Sequence, residues 1–81
     1  MSPTEVRDKL REFIRTQLLQ DPNYPLRDDE PLISSGLIDS FSLAQVGVFV
    51  EMTFNIYIPD TDLTVDAMDT INKMAERIAK G

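Results

Sequence analysis

The sequence contains no cysteine and no histidine, and each absence excludes a kind of chemistry. Without cysteine, the 81-residue chain can form no disulfide bond, no thiolate metal site and no thiol nucleophile. Without histidine, it lacks the side chain that titrates near neutral pH and that completes a serine triad. It also has no apolar run of membrane-spanning length and no apolar signal segment at its N-terminus. These absences predict a soluble, cytoplasmic protein that is not an enzyme and does not enter a membrane.

Basic residues are few and unevenly placed. Eight Lys and Arg against 14 Asp and Glu give a formal net charge of −6, which argues against nucleic acid as a partner. One long stretch has acids and no base: Asp28, Asp29, Glu30, Asp39, Glu51, Asp60, Asp62, Asp66 and Asp69. This stretch is either a solvated surface that maintains solubility or a surface that attracts partners with basic patches. The apolar content of 42% is typical of a folded domain, so one domain over residues 1–81 is expected.

The first helix is predicted over Pro3–Gln20. The segment Ser2-Pro3-Thr4-Glu5 is a capping box, in which the Ser2 hydroxyl accepts a hydrogen bond from the Glu5 amide. Apolar residues then recur every three or four positions, as on one face of a helix: Val6, Leu10, Phe13, Ile14 and Leu18. The helix is expected to stop before Pro22, because the residue before a proline is disfavoured in the α conformation.

The remaining elements predict an all-α fold. A proline-bearing loop over 21–39 contains apolar residues that predict packing against the core: Leu32, Ile33, Leu37 and Ile38. A second helix is predicted over Ser40–Phe54, followed by an extended connector over 55–59 and a single helical turn over 60–64. Asp69 is predicted to cap a last helix with apolar residues at helical spacing: Ile71, Met74, Ala75 and Ile78. The predicted architecture is a small bundle of three main helices plus one short helix.

The second helix is apolar on two sides. One side predicts a core face: Leu43, Val46, Gly47, Val50 and Phe54. The other side has the same spacing: Phe41, Ala44, Gln45, Val48 and Met52. A small domain can hardly bury both sides, so the second one is predicted to be a partly exposed docking surface. The alternative is that Phe41 and Met52 fold back onto the loop. Gly47 is predicted to permit close packing of another helix.

No metal site is predicted. The segment Asp60-Thr61-Asp62-Leu63-Thr64 begins like an EF-hand loop. However, Val65 stands where that loop needs glycine, and Ile71 stands where it needs glutamate.

The segment Gly36-Leu37-Ile38-Asp39-Ser40 is the strongest candidate for chemistry. A glycine frees the backbone, two apolar residues anchor the loop, and an acid precedes a serine where a helix is predicted to start. Backbone donors and the helix dipole at that position would stabilise a phosphate attached to Ser40. Serine without an adjacent base is a poor nucleophile, so another enzyme would have to activate it. The alternative is that Asp39 or Ser40 only caps the helix, although neither is followed at the third residue by the Glu or Gln of a capping box.

This five-residue segment resembles the phosphopantetheine attachment motif of acyl carrier proteins. The resemblance continues in the segment from Phe54 to Asp60, which is similar to the aromatic-to-Ile-Pro-Asp segment of that family. It extends to Asp29-Glu30-Pro31-Leu32 and to the first and last helices, so it spans nearly the whole chain. The resemblance implies a phosphopantetheine arm on Ser40, donated by coenzyme A and attached by a magnesium-dependent phosphopantetheinyl transferase. It also implies that the arm ends in a thiol, which holds acyl or aminoacyl groups as thioesters.

The resemblance also implies roles for neighbouring residues. Asp39 belongs to the motif that the transferase recognises, together with Gly36, Leu37 and Ile38. The second helix is the docking element for partner enzymes, through Phe41, Ala44, Gln45, Val48, Glu51 and Met52. The implied partners are the transferase and the acyl-loading, condensing and releasing enzymes of fatty acid, polyketide or related secondary-metabolite biosynthesis. The chain itself is expected to be a monomer.

Three residues of the second helix depart from the pattern of fatty-acid-synthesis carriers. Gln45 and Met52 occupy positions where acids are common, which leaves Glu51, and Phe41 replaces a frequent leucine. These departures favour a specialised carrier in a secondary-metabolite, polyketide or amino-acid-loading pathway. The alternative function is an unmodified acidic helical module that binds other proteins through Phe41, Val48 and Met52. The two functions differ in whether Ser40 is modified.

Overall fold

The computed structural model describes residues 2–81, so Met1 of the predicted domain lies outside the described residues. In chain order the elements are α1 (Pro3–Phe13), a π-helical segment (Ile14–Leu18), α2 (Ser42–Phe54), a 3-10 turn (Asp60–Asp62), α3 (Val65–Met68) and α4 (Ile71–Lys80). Residues 2–81 contain no β-strand. The prediction of an all-α fold with three main helices and one short helix is therefore confirmed.

The first helix begins as predicted and ends earlier. The Glu5 amide donates to Ser2 Oγ at 3.2 Å, which confirms the cap. After Phe13 the donor and the acceptor of each backbone hydrogen bond are five residues apart instead of four. The Leu19 amide, for example, donates to the Ile14 carbonyl at 2.8 Å. Gln20 has a φ of 54°, in the left-handed region, which stops the helical path at Leu18. The predicted end at Gln20 was therefore wrong, because the left-handed residue and not Pro22 ends the helix.

An apolar core lies between the helices, the loop and the connector. It is formed by Val6, Leu10, Ile14, Leu26, Leu32, Ile38, Leu43, Val46, Val50, Ile58, Met68, Ile71, Met74 and Ile78. Each such side chain stabilises the fold by roughly 1.5–3 kcal/mol when it leaves water. The burial of Leu32 and Ile38 confirms that the loop packs against the helices.

Three acids of the base-free stretch form ion pairs with bases from outside it, and one of them, Asp29, has its Oδ1 3.7 Å from Arg27 Nε. Asp28 contacts the guanidinium group of Arg11, and its Oδ2 lies 3.4 Å from Arg7 Nε. Asp62 accepts from Arg77 Nε at 3.0 Å and thereby joins the 3-10 turn to α4. The charge asymmetry along the sequence is therefore partly neutralised in the fold.

The second helix begins later than predicted. The amides of Ser42, Leu43 and Ala44 donate to carbonyls three residues earlier, at 3.1 to 3.2 Å, so a tight turn precedes α2. As a result α2 begins at Ser42 and not at Ser40. It ends at Phe54 as predicted, because Asn55 adopts the left-handed conformation with a φ of 59°. The connector over 55–59 is not helical and pairs with no strand within residues 2–81, as predicted.

The caps of the last two helices differ from the prediction. The predicted turn over 60–64 is a 3-10 turn over Asp60–Asp62, and α3 lies further along the chain. The Thr64 hydroxyl caps α3, where it accepts from the Ala67 amide at 3.3 Å. The Thr70 hydroxyl caps α4, where it accepts from the Lys73 amide at 3.0 Å. The prediction that Asp69 caps the last helix was therefore wrong, because Thr70 fills that position and the Asp69 carboxylate binds the loop.

Candidate functional site

Ser40 lies in the tight turn that precedes α2, and its side chain is exposed. Its carbonyl accepts from the Leu43 amide at 3.2 Å, whereas its hydroxyl makes no hydrogen bond within residues 2–81. The amides of Ser40 and Phe41 also find no acceptor in the part of the chain that the structure describes. An exposed hydroxyl beside unpaired amides at the start of a helix is suited to carry a phosphate.

Asp39 fixes the geometry of this turn. Its Oδ1 accepts from the Ser42 amide at 3.1 Å and from the Ser42 hydroxyl at 3.2 Å. Both bonds run from Ser42 to the Asp39 carboxylate, so the turn closes without the reciprocal bond to a Glu or Gln side chain that completes a capping box. Asp39 therefore caps the tight turn and not α2, whose N-cap residue is Phe41 and has no side-chain capping bond, so the interpretation of Asp39 or Ser40 as the cap of the second helix was wrong. The part of Asp39 in transferase recognition stays a prediction.

The residues before Asp39 form a closed turn. Gly36 has a φ of 82°, which disfavours any side chain, and its amide donates to the Ile33 carbonyl at 3.0 Å. The Ile38 amide returns to the Leu32 carbonyl at 2.9 Å, and both of these side chains are buried. Leu37 is half-buried. The predicted backbone role of Gly36 and the anchoring role of Ile38 are thus confirmed.

Asp69 joins this loop to the junction between α3 and α4. Its Oδ1 accepts from the amides of Ile33 and Ser34 at 2.8 and 3.0 Å, and its Oδ2 accepts from the Ser34 hydroxyl at 2.6 Å. Its carbonyl accepts from the Leu32 amide at 2.7 Å. Burial raises the pKa of Asp69, but the hydrogen bonds from Ser34, Ile33 and Leu32 together hold that pKa below its ordinary value.

Sequence reasoning missed this contact between the loop and Asp69. The one available signal is the adjacent pair Asp69 and Thr70, since both residue types cap helices and one position cannot hold both. The pair indicates that one of the two side chains does not cap the helix and can bind another residue. It does not indicate which residue, because Ser34 lies 35 positions away in sequence.

The two sides of α2 differ completely in exposure. Phe41, Val48 and Met52 are 85%, 58% and 81% exposed, whereas Leu43, Val46 and Val50 are buried. Three more residues of the predicted docking surface are also exposed: Ala44, Gln45 and Glu51. The alternative in which Phe41 and Met52 fold back onto the loop was therefore wrong. We call the set Phe41, Ala44, Gln45, Val48, Glu51 and Met52 the α2 outer face.

A groove runs beside the α2 outer face, between α2 and the first helix. It has a volume of about 500 Å³ and is lined by Phe13, Gln17, Ala44, Gln45, Val48, Phe49, Met52 and Thr53. Phe49 stacks on Phe13, with ring centroids 4.3 Å apart, and meets Phe54 edge-on at 6.0 Å. The sequence analysis assigned Phe49 to neither stripe of α2. In the structure this ring packs between the buried side and the exposed side of the helix.

Gly47 permits a close approach, although not by a helix. A Cβ atom at this position would lie 3.1 Å from Leu63 Cδ1, just after the 3-10 turn. The prediction of close helix packing at Gly47 was therefore wrong, since the neighbour is a side chain of the segment that leads to α3.

Two kinds of feature are absent from residues 2–81. No described helix is both long enough and apolar enough to cross a membrane. These residues also contain no group of three or more His, Cys, Asp or Glu side chains arranged to hold a metal ion.

The fold and the site together define a small helical domain that presents an exposed serine, Ser40, in the turn before a helix with an exposed apolar face. The D-alanyl carrier proteins of two strains of Lactobacillus delbrueckii subsp. bulgaricus are each 33% identical to this chain over 52 residues. The match covers 64% of this chain and 65% of the length of each curated relative. No family model matches the chain. The resemblance to carrier proteins is thereby confirmed.

Proposed function

We propose that this chain is a carrier protein that holds acyl or aminoacyl groups on a phosphopantetheine arm attached to Ser40. The observation that carries the proposal is the Ser40 hydroxyl, which is exposed and without a hydrogen bond within residues 2–81, inside a segment that resembles the attachment motif. The proposal includes one carrier domain over residues 1–81, a monomeric state and a cytoplasmic location. When attached, the arm supplies a terminal thiol on which the carried group is held as a thioester.

Ser40 is the acceptor in the attachment step. Its Oγ attacks the phosphorus of coenzyme A that bears the pantetheine, and a P–O bond of the pyrophosphate breaks. The leaving group is 3′,5′-adenosine bisphosphate, and the hydroxyl proton passes to a base of the transferase. We assign this base to the transferase, because the chain has no histidine.

The turn around Ser40 fits a phosphate in two respects. The unpaired amides of Ser40 and Phe41 offer donors, and the positive end of the α2 dipole lies beside them. The Asp39 carboxylate would repel a phosphate, but its Oδ1 is held against the Ser42 amide on the helix side of the turn. Asp39, Gly36, Leu37 and Ile38 are proposed as the surface that the transferase recognises.

The α2 outer face is proposed as the docking surface for the transferase and for the loading, condensing and releasing enzymes. Its exposed apolar side chains support this role, because such a patch on a small protein usually marks an interaction site. Glu51 contributes an exposed acid to this face and forms no ion pair within residues 2–81. This charge would favour partners that carry a basic residue at the edge of their binding site.

The carried group is proposed to be an aminoacyl or specialised acyl group. The curated relatives are named D-alanyl carrier proteins, which makes D-alanine the first cargo to test. Gln45 and Met52 stand where fatty-acid-synthesis carriers commonly have acids. Efficient elongation by the host's fatty-acid ketosynthase and malonyl transferase would overturn this assignment of the cargo while leaving the carrier function intact.

The test is the intact mass of the chain after incubation with coenzyme A, magnesium and a promiscuous phosphopantetheinyl transferase. The wild type and the matched control Ser2→Ala, at an exposed serine before α1, should gain the mass of one phosphopantetheine, and Ser40→Ala should gain none. If the folded wild type gains no mass, the measurement is repeated with the host's own transferase. A second failure would exclude the carrier function.

The second candidate function is an unmodified acidic module that binds partners through Phe41, Val48 and Met52. The exposure of these three side chains favours it as much as it favours the carrier function. Binding of a partner by Ser40→Ala with wild-type affinity, together with no modification of the wild type, would support this candidate.

A further inference from the structure

The last part of the loop before Ser40, residues 32–38, is bonded to a distant part of the chain at Asp69. At that point Asp69 accepts three hydrogen bonds on its carboxylate, from the Ile33 amide, the Ser34 amide and the Ser34 hydroxyl. A fourth bond runs from the Leu32 amide to the Asp69 carbonyl. Hydrogen bonds to a carboxylate are stronger than those between neutral groups, so the loop is held firmly here.

Further hydrogen bonds lead from Asp69 toward the turn that contains Ser40. Leu32, whose amide binds Asp69, accepts at its carbonyl from the Ile38 amide at 2.9 Å. Ile38 is followed by Asp39, whose carboxylate caps the turn through Ser42. Two successive hydrogen bonds therefore connect the backbone of Asp69 to Ile38, two residues before Ser40.

The part of the loop between these bonds has few other attachments. Leu32 and Ile38 are buried at its two ends, but Ser34, Ser35 and Gly36 between them are exposed. A Cβ atom at Gly36 would find no neighbouring atom within 4 Å, so this section does not rest against the rest of the molecule. The Ser35 hydroxyl donates to the Pro31 carbonyl at 2.6 Å, a bond within the loop itself. Asp69 is therefore the side chain from outside the loop that fixes this exposed section within residues 2–81.

We propose that Asp69 is a positioning residue for the attachment site: it holds the loop before Ser40 in the arrangement that the transferase binds. This inference rests on the proposed attachment of phosphopantetheine to Ser40. Without the Asp69 carboxylate, the loop samples other arrangements, and the transferase binds the fraction of molecules that keeps the original one. The apparent affinity falls by that fraction, whereas the chemical step in the bound complex is unchanged.

The experiment measures initial rates of phosphopantetheine transfer as a function of carrier concentration, for the wild type and for four variants. Asp69→Ala removes all three carboxylate bonds and is expected to raise KM about tenfold with kcat unchanged, as for a loop correctly arranged in roughly one molecule in ten. Asp69→Asn is expected to restore nearly the wild-type KM. Its amide oxygen can accept from Ile33 and Ser34, and its amide nitrogen can donate to the Ser34 hydroxyl.

Two variants serve as controls. Asp66→Ala removes an exposed acid of α3 with the same change of charge and is expected to keep the wild-type KM. Ile78→Val reduces core packing in α4, far along the chain from the loop, and reports the effect of lower global stability alone. Circular dichroism at the assay temperature establishes that each variant is folded.

Each outcome decides the inference. A KM for Asp69→Ala equal to that of Asp66→Ala, or an equal rise in Ile78→Val, would overturn the positioning role. A fall in kcat without a rise in KM would overturn it as well. If Asp69→Ala does not fold, Ser34→Ala takes its place, because it removes one of the three bonds, and a rise of about threefold in KM is expected. A wild type that no transferase modifies would instead overturn the proposed function, because neither it nor any variant would then show a rate of phosphopantetheine transfer.

Discussion

The two sides of α2 have similar composition and opposite environments. Leu43, Val46 and Val50 are buried, whereas Val48 and Met52, on the other side of the same helix, are 58% and 81% exposed. The periodicity of α2 alone does not distinguish these sides, because both repeat at helical spacing. The distinction comes from the rest of the chain, since α1, α4 and the loop provide apolar partners for one side only. An apolar residue in this helix therefore contributes to stability or to surface recognition, depending on its side.

The largest effect is expected from a charge on the buried side. Val50→Asp places an unpaired carboxylate in a core that contains no polar or charged residue among residues 2–81, and should lower the free energy of unfolding by about 4 kcal/mol or more. Val48→Asp makes the same change on the exposed side and should alter stability by about 0.5 kcal/mol or less. Urea denaturation followed by circular dichroism measures both. Equal destabilisation by the two variants would show that the Val48 side of α2 is packed in the core and is not exposed to solvent.

A smaller effect, on binding and not on stability, is expected from a charge at Met52. Met52→Glu should leave the melting temperature nearly unchanged, because the side chain is 81% exposed. It should weaken docking of an apolar partner surface about tenfold, equivalent to about 1.4 kcal/mol, measured as the dissociation constant for the transferase. Thr4→Glu, on the exposed first turn of α1, is the control. Unfolding of Met52→Glu would place this residue in the core and contradict its assignment to the α2 outer face.

A third effect distinguishes the apolar core from the bonded loop by their response to acid. The folded-state pKa of Asp69 is lowered, so its contribution to stability is present above the ordinary carboxyl value of about 3.9 and is lost as the pH falls through the lower folded value. No titratable side chain lies on the buried side of α2. Amide exchange should therefore increase first at Ile33 and Ser34 and later at Val46. Simultaneous loss of protection would argue against separate stabilisation of the loop.

The smallest effect is expected between the two sides, at Gly47. Alanine in a helix interior is more favourable than glycine by about 1 kcal/mol, but the new Cβ atom would meet Leu63 Cδ1 at 3.1 Å. The two effects should nearly cancel in Gly47→Ala. In a Leu63→Ala background the full gain of about 1 kcal/mol should appear, which a double-mutant cycle of unfolding free energies measures. An equal effect in both backgrounds would mean that Leu63 moves aside freely.

The sequence was sufficient to predict the elements that depend on local chemistry. The cap at Ser2, the two stripes of α2 and the need for glycine at position 36 each follow from a few neighbouring residues. The end of the first helix was not predictable in this way, because glutamine is not a residue type that favours the left-handed conformation that Gln20 adopts. The start of α2 was missed by two residues, since a tight turn and an α-helix have the same apolar spacing over so short a segment.

The polar attachments of the candidate site depended on contacts that are distant in sequence. Asp69 binds Ser34 across 35 residues, and no spacing rule connects an acid to a backbone amide at such a distance. The choice between Asp69 and Thr70 as the helix cap depends on where the loop lies. Exposure of the Ser40 hydroxyl follows from the turn that Asp39 caps through Ser42, a partner that the capping-box pattern does not include.

The unpartnered outer face of α2 has a consequence for colloidal behaviour. At pH 7 the formal net charge of −6 keeps the molecules apart in solution, although each one exposes Phe41, Val48 and Met52. This repulsion vanishes near the isoelectric point of about 4.3, whereas the exposed apolar area does not change with pH. Light scattering should therefore detect self-association near that pH while circular dichroism still reports folded helices. Replacing Phe41 and Met52 with polar residues should suppress the association. Light scattering in mild acid therefore measures the tendency of the α2 outer face to self-associate.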